Sequence, residues 1–280
     1  MEFYSPLRYP GGKVRLASYV KKVIEGNKLL DGTYIEPYVG GGGVALSLLF
    51  DEYVSKIIIN DKDRSIYAFW HSVIYENNRL CEMIYDANID LENWNRQKEI
   101  QKYKADASLL ELGFSTFFLN RTNRSGIINA GVIGGHDQQG KYKIDARFHK
   151  NDLIRKIKKI AFYATRIELY NDDALTLLEN TPTDEKTLFY FDPPYYVKGR
   201  GLYMNYYNDS DHEQIANAIF KIKDAKWILS YDNVPFIENL YKGFRNQAFE
   251  LNYSANNSGK GKEIMFYSDN LKYIPKIEKQ

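Results

Sequence analysis

A run of four glycines between two strand-like segments constrains this chain more than any other feature. Thr33-Tyr34-Ile35-Glu36-Pro37 reads as a short strand and runs into Gly40-Gly41-Gly42-Gly43. Val44–Phe50 then has the length and composition of a helix, and Lys56-Ile57-Ile58-Ile59-Asn60-Asp61 is a β-branched run ending in an acid. Such an unbroken apolar run suits a strand buried on both faces. Strand, glycine turn, helix and strand begin a βαβ unit, which calls for a parallel sheet covered by helices. The glycines let backbone approach a ligand and leave the N–H groups of the helix start available to it. An acid about twenty residues beyond such a turn commonly holds ribose hydroxyls, and Asp61 stands at that distance from Gly40. No Lys-Ser or Lys-Thr follows the glycines, so the turn suits a nucleoside cofactor without phosphates better than a nucleoside triphosphate.

The alternation resumes late in the chain. Asp152–Ala164 reads as a basic amphipathic helix, followed by strand Arg166–Tyr170, helix Ala174–Asn180 and the apolar strand Thr187–Phe191. Helix Asp211–Ile222, strand Lys226–Ser230 and an antiparallel hairpin of Asn246–Tyr253 with Glu263–Tyr267 complete the pattern. The stretch between is different. Helical segments Asn77–Asp86, Glu92–Tyr103 and Leu109–Leu119 lead into a polar, glycine-spotted segment, Asn120–Phe148, whose Gly134–Gly140 turn cluster suits a hairpin. The expected architecture is therefore α/β. Residues 1–75 and 152–280 form a mixed, mostly parallel sheet domain with a C-terminal antiparallel hairpin, and residues 76–151 an inserted, largely helical lobe.

Composition narrows the chemistry. The single cysteine, Cys81, excludes disulfide scaffolds and multi-thiolate metal sites, and its helix-like context suits a buried structural thiol. His71, His136, His149 and His212 lack metal-ligand spacing, so no metal is expected. The N-terminus lacks the pattern of a signal peptide, and no apolar stretch is long enough to span a membrane; a cytoplasmic protein is expected. With 38 basic against 36 acidic residues, net charge alone points to no nucleic-acid partner. The Arg155-Lys156-Ile157-Lys158-Lys159 run suits a solvated helix face.

Asp192-Pro193-Pro194-Tyr195, directly after a buried strand, is the sharpest local motif. Ligands of open α/β sheets bind beyond the carboxyl ends of the strands. Two prolines fix the turn and remove two N–H donors, leaving a carboxylate and a prolyl carbonyl as rigid acceptors beside an aromatic face. That arrangement suits a planar group bearing an exocyclic amine. The same residues also suit a plain proline turn with Tyr195 in the core. Asn120-Arg121-Thr122-Asn123-Arg124-Ser125-Gly126 offers donors of several lengths, as a loop touching sugar and phosphate would, or one simply solvated.

Together, Tyr9-Pro10-Gly11-Gly12-Lys13, Glu36-Pro37-Tyr38-Val39-Gly40-Gly41-Gly42, Asn60-Asp61, Asn120-Arg121 with Ser125-Gly126, and Asp192-Pro193-Pro194-Tyr195 occur in an order that resembles the Dam-type (D12 class) family of S-adenosylmethionine-dependent DNA adenine methyltransferases. The resemblance spans about Pro6 to Tyr267. It implies a Rossmann-like methyltransferase sheet, a target-recognition lobe between the cofactor and catalytic halves, S-adenosylmethionine as cofactor and double-stranded DNA as partner. Tyr9 and Lys13 would contact the cofactor; Glu36, Pro37, Tyr38, Gly40 and Gly42 would line its methionine and ribose, and Asp61 would hold the ribose hydroxyls. Asp172, or its neighbour Asp173, would approach the cofactor adenine. Asp192 and the Pro193 carbonyl would accept from the target amino group, with Pro194 shaping the turn and Tyr195 stacking on the extruded base; Asp192 would also border the cofactor.

DNA contacts would come from Asn120, Arg121, Thr122, Arg124, Ser125, Gly126 and Asn129 in the lobe, and from Lys198, Arg200, Lys260 and Lys262 in loops flanking the site. Tyr196, Tyr203, Tyr206 and Tyr207 follow the catalytic turn closely enough to line a base pocket, an assignment for part of the 15% aromatic content. Thr122, Asn123 and Arg124 replace the aromatic and basic residues of GATC-reading members, and Asn129 stands in the region where those members carry a base-reading arginine, so that specificity does not transfer. Methylation of a cytosine amino group, or a DNA-binding module without turnover, are the alternatives. No obligate protein partner is implied; the resemblance leaves open an orphan enzyme, a phage-borne one or one paired with a restriction endonuclease.

Overall fold

The computed structural model describes residues 3–8, 16–197, 207–252 and 260–277. These fall into two compact units. The first takes 3–8 and 63–169; the second takes 16–62, 170–252 and 260–277.

In chain order, the second unit opens with α1 (Ala17–Gly26), β1 (Gly32–Glu36), α2 (Gly43–Phe50) and β2 (Val54–Asn60). The first unit holds α3 (Arg64–Tyr75), α4 (Asn77–Asp86), α5 (Leu91–Lys102), α6 (Leu109–Thr122) and α7 (Lys150–Phe162). The division falls inside β3 (Ile167–Tyr170). The second unit then continues with α8 (Ala174–Asn180), β4 (Leu188–Phe191), α9 (Asp209–Phe220), β5 (Lys226–Asp232), α10 (Pro235–Leu240), β6 (Arg245–Asn252) and β7 (Lys260–Tyr267).

The strand order is β3-β2-β1-β4-β5-β7-β6. β1 pairs parallel with β2 and β4, and β4 parallel with β5; β7 pairs antiparallel with β5 and β6. The expected mixed α/β sheet with its C-terminal antiparallel hairpin is what forms. The order reverses between β1 and β4, the point where open α/β sheets bind ligands at their carboxyl ends.

β4 is buried along its whole length, as a central parallel strand must be. Phe189 and Phe191, two residues apart and so on one face, stack with centroids 5.4 Å apart. With Trp227, Leu229, Ile215, Ile219 and Phe266 they belong to the core of this unit. α1 escapes the sequence reading, although Ala17, Val20, Val23 and Ile24 bury a face at helical spacing. α3 and α10 escape it too.

In the first unit α6 is buried almost throughout. It starts at a capping box in which Ser108 and Glu111 satisfy each other's backbone N–H groups. At Gly113 a Cβ would lie 2.3 Å from Ser72 Oγ and 2.5 Å from the Ala68 carbonyl, so only glycine lets α3 and α6 meet there. Phe69 and Phe117 stack across that contact at 6.1 Å. The expected hairpin at Gly134–Gly140 does not form. Turns fill the segment, and the pairing near it is the isolated Asn123–Val132 bridge. Two positive-φ glycines, Gly134 and Gly135, favour consecutive tight turns over strand pairing. Cys81 is buried, and burial pushes its thiol pKa up, which suits packing rather than nucleophilic work.

Candidate functional site

β1, β2, β3 and β4 each deliver an acid at or just beyond their carboxyl ends: Glu36, Asp61, Asp172 and Asp192. Glu36 is 5% exposed, and its Oε1 accepts the Tyr34 hydroxyl at 2.8 Å and the Ala45 N–H at 3.2 Å. Burial raises its pKa to about 8; Tyr34 opposes the shift and Asp192 adds to it. The carboxyl group thus keeps its proton at neutral pH in the ligand-free chain.

After Glu36 the chain turns through buried Pro37 and half-buried Tyr38. Gly40 (φ 45°) and Gly42 (φ 60°) take left-handed conformations, and Gly42 sits at the start of α2. This is where the four-glycine run is needed. The Gly40 N–H donates to Asp61 Oδ2 at 3.0 Å, so the turn and the acid at the end of β2 are fixed to each other.

Asn60, 1% exposed, extends this framework. Its Nδ2 donates to the Pro37 carbonyl at 2.9 Å and the Asp172 carbonyl at 3.1 Å, while its Oδ1 accepts the Asp172 N–H at 2.9 Å. A buried asparagine at a strand end was the available signal for this role, which sequence reasoning missed. Of the two adjacent acids, Asp173 is committed elsewhere: its carboxylate caps α8 through the Leu175 N–H and pairs with Lys62 at 2.8 Å.

Asp192-Pro193-Pro194-Tyr195 leaves β4 at the reversal point. Asp192 is half-buried, and its Oδ1 accepts the Ser230 hydroxyl at 3.0 Å. Tyr190 and Ser230 hydroxyls lie 3.0 Å apart; because Ser230 donates to Asp192, Tyr190 donates to Ser230. Tyr195 is 6% exposed, and its hydroxyl donates to Glu263 Oε1 at 2.6 Å. Asp232 takes the next two backbone N–H groups, Tyr196 on Oδ1 and Val197 on Oδ2, both at 2.9 Å.

Behind the turn lies an aromatic cluster. Tyr196 stacks on Phe236 at 4.6 Å, and the Tyr38 and Tyr207 hydroxyls lie 2.9 Å apart. His212 is fully buried among Tyr196, Tyr207 and Tyr231, with Nδ1 2.8 Å from the Tyr231 hydroxyl. Burial lowers its pKa, so it packs as a neutral core histidine. Tyr9, Lys13, Lys198, Arg200, Tyr203 and Tyr206 lie outside the described residues, as does the side chain of Lys260. Lys262 is exposed on β7.

The first unit carries the Asn120–Asn129 segment. α6 runs on through Thr122, so Asn120, Arg121 and Thr122 are helical rather than in a loop. Asn120, 2% exposed, accepts the Arg8 N–H at 2.7 Å and donates to the carbonyls of Arg8 (2.7 Å) and Gly126 (2.8 Å). Thr122 is buried and donates to the Phe118 carbonyl, and Gly126 (φ 75°) packs so tightly that a Cβ would sit 2.3 Å from the Arg8 carbonyl. These three shape the segment from inside. Asn123 does the same, accepting Trp94 Nε1–H at 2.6 Å and donating to the carbonyls of Ile127 and Ile128.

Arg124 and Asn129 are exposed and Ser125 is half-buried. Arg121 has a buried Nε without a hydrogen-bond partner among the described residues. Burial and the nearby Arg8 lower its pKa to about 10, with Asp152 opposing and Arg147 adding. Arg8 is shifted down by burial and by Arg147. Arg8, Arg121 and Arg147 thus place three like charges near one another, with Asp152 as the acid acting on Arg121, which gives a locally positive field.

Residues 9–254 match the profile of D12 class N6 adenine-specific DNA methyltransferase. A similar relative is the Type II methyltransferase M.MjaIII of Methanocaldococcus jannaschii, 26% identical over 268 residues that cover 87% of this chain and 90% of the relative. Among solved structures, the putative methyltransferase yhhF from Escherichia coli is 12% identical with a TM-score of 0.37, covering 94% of this chain and 89% of its own. A conserved hypothetical protein of Streptococcus pyogenes is 10% identical with a TM-score of 0.35, covering 86% of this chain and 88% of its own.

Proposed function

The chain belongs to the D12 class N6 adenine-specific DNA methyltransferase family, and from that membership we propose how its residues divide the work. It is an adenine-specific DNA methyltransferase, and its methyl donor is of the S-adenosylmethionine type. We assign donor binding to Glu36, Pro37, Tyr38, Gly40, Gly42, Asp61, Asp172 and Asp192, together with Tyr9 and Lys13. The donor set fits the group: a cationic nucleoside matches the strand-end acids Asp61, Asp172 and Asp192 and a turn that brings backbone close, with the protonated Glu36 carboxyl as a neutral neighbour. When bound, the donor supplies an electrophilic sulfonium methyl group.

The observation that carries the catalytic assignment is Asp192 on the rigid Pro193-Pro194 turn, oriented by Ser230 at the strand-order reversal. Asp192 and the Pro193 carbonyl accept hydrogen bonds from the two hydrogens of the adenine amino group, which localises the nitrogen lone pair for in-line attack; as the N–C bond forms, the donor's S–C bond would break to leave a neutral thioether, and the nitrogen would shed one proton to Asp192 or water. No covalent enzyme intermediate is needed; the chain's contribution is positioning and preorganised charge. That amino group is paired inside duplex DNA, so the base must be extruded to reach Asp192. Pro194 and Tyr195 shape the pocket floor, and Tyr196 and Tyr207 its aromatic wall.

We assign target recognition to residues 76–151, with phosphate contacts from Arg121, Arg124 and the flanking cations Lys198, Arg200, Lys260 and Lys262, and base-edge contact from Asn129. The sequence read is short and differs from GATC. Likeness to a Type II methyltransferase supports a place beside a cognate restriction endonuclease, acting on cytoplasmic DNA. Among the described residues no helix is long and apolar enough to cross a membrane. Incubation with labelled donor and duplex DNA, followed by nucleoside digestion, tests the reading. Label in N6-methyladenine is expected; label in N4-methylcytosine, or none, overturns it. Methylome sequencing of DNA from expressing cells identifies the site.

A further inference from the structure

Three consecutive residues leaving the Pro-Pro turn are each tied to a buried carboxylate contributed by the C-terminal part of the sheet. The Tyr195 hydroxyl donates to Glu263 on β7, and the Tyr196 and Val197 N–H groups donate to Asp232 at the end of β5. Asp232 and Glu263 are themselves register partners across the β5–β7 ladder. Both are almost fully buried, at 6% and 1% exposure.

We propose that Asp232 and Glu263 are positioning residues for methyl transfer. They clamp the exit of the Asp192–Tyr195 turn so that the Asp192 carboxylate and the Pro193 carbonyl keep a fixed separation and direction. Two prolines fix the φ angles within the turn but leave its exit to be held by something else. A two-oxygen clamp on consecutive N–H groups, with the tyrosine hydroxyl held by the neighbouring strand, removes that freedom. Burying two carboxylates side by side is costly, which is what a group kept for positioning rather than stability looks like.

This inference rests on the reading of Asp192 as the group that accepts the target amine, and the experiment separates the two. Methyl-transfer kcat, donor dissociation constant and thermal midpoint are measured for Asp232→Asn, Asp232→Ala, Glu263→Gln, Glu263→Ala and Asp192→Ala. Asn keeps one acceptor oxygen of the two, so kcat should fall about 10-fold in Asp232→Asn and about 100-fold in Asp232→Ala, the loss expected for a displacement near 1 Å. Glu263→Gln keeps an acceptor for the tyrosine hydroxyl and should recover most of the activity lost in Glu263→Ala. Donor affinity should stay within about twofold in the Asp232 and Glu263 variants, because the residues assigned to donor binding are untouched in them.

Wild-type kcat in both Asp232 variants overturns the inference. So does a parallel loss of kcat, donor affinity and thermal midpoint, or a Gln variant no better than Ala at position 263. If Asp192→Ala turns over normally, it is the catalytic reading that fails. If Asp232→Ala does not fold, the isosteric Asn variant and the Gln/Ala pair at 263 still decide.

Discussion

Ser230 Oγ donates a 3.0 Å hydrogen bond to Asp192 Oδ1, linking the carboxyl ends of two adjacent parallel strands. The bond belongs to a relay, with Tyr190 behind Ser230, so the carboxylate is oriented before any substrate arrives. Ser230→Ala removes a donor to a charged group and an acceptor of the Tyr190 hydroxyl, which is 3% exposed. A stability loss of about 1–3 kcal/mol is expected, with kcat lowered about 10-fold or more. Tyr190→Phe leaves the Ser230–Asp192 bond in place and should cost less in kcat. Steady-state kinetics on both variants check that order.

The pH dependence of stability should carry the mark of Glu36. Its pKa is raised to about 8 in the fold against 4.5 for the unfolded chain. The folded state therefore holds a proton that the unfolded state has released, and stability falls as pH rises across that window. The contribution is complete below the unfolded value and gone above about 8, with an upper size of about 5 kcal/mol at about 1.4 kcal/mol per unit. Glu36→Gln should lack this decline. Urea midpoints at acid, neutral and alkaline pH should converge for the two proteins at the acid end and favour the Gln variant at the alkaline end.

The sheet and the place of its Pro-Pro turn after β4 were largely legible from the sequence, because periodicity and glycine placement act locally. β1, β2, β4 and β5 emerge within a few residues of where apolar runs placed them, and α4 and α8 match their expected limits. α3 did not emerge, since Arg64–Tyr75 mixes aromatic, polar and apolar residues on a helix buried chiefly by α6, with α7 and α4. The supports were not legible at all. Asp232, Glu263, Ser230 and Asn60 act through partners 23 to 112 residues away, and no local pattern marks such pairings. Asn120 shows the complementary limit: it was readable as a polar residue near the target, whereas its burial against Arg8 is tertiary.

Arg147 is exposed and adds to the positive field at Arg121 and Arg8. Arg147→Ala should weaken binding to all duplex sequences alike and reduce the slope of log affinity against log salt by about 1. Arg121→Ala should weaken binding more, since its guanidinium is already desolvated and meets a phosphate at lower cost. Fluorescence anisotropy across a salt series measures both. A slope unchanged in both variants would show that this cluster is not where phosphate is bound.

Gly126 fixes the Asn120–Asn129 segment against Arg8. Its φ of 75° disfavours any side chain, and an added Cβ would lie 2.3 Å from the Arg8 carbonyl. Gly126→Ala should therefore lower stability by about 1–3 kcal/mol through backbone strain, with a further loss from displaced Arg8. The same variant should relax target choice, because Asn120 bonds both partners of that contact. Thermal melting and methylation of near-cognate duplexes read the two effects.

The position of β7 sets an order of assembly. β7 follows β6 in the chain, yet in the sheet it lies between β5 and β6. A nascent chain that has reached Asn252 already carries the glycine turn, Asp61 and the whole Asp192–Tyr195 motif, but its β6 has no neighbouring strand to join. Only when Lys260–Tyr267 has left the ribosome can the hairpin dock on β5 and Glu263 reach the Tyr195 hydroxyl. The hold on the Tyr195 hydroxyl therefore depends on a strand that follows β6 in the chain, and it forms only once β7 has docked on β5.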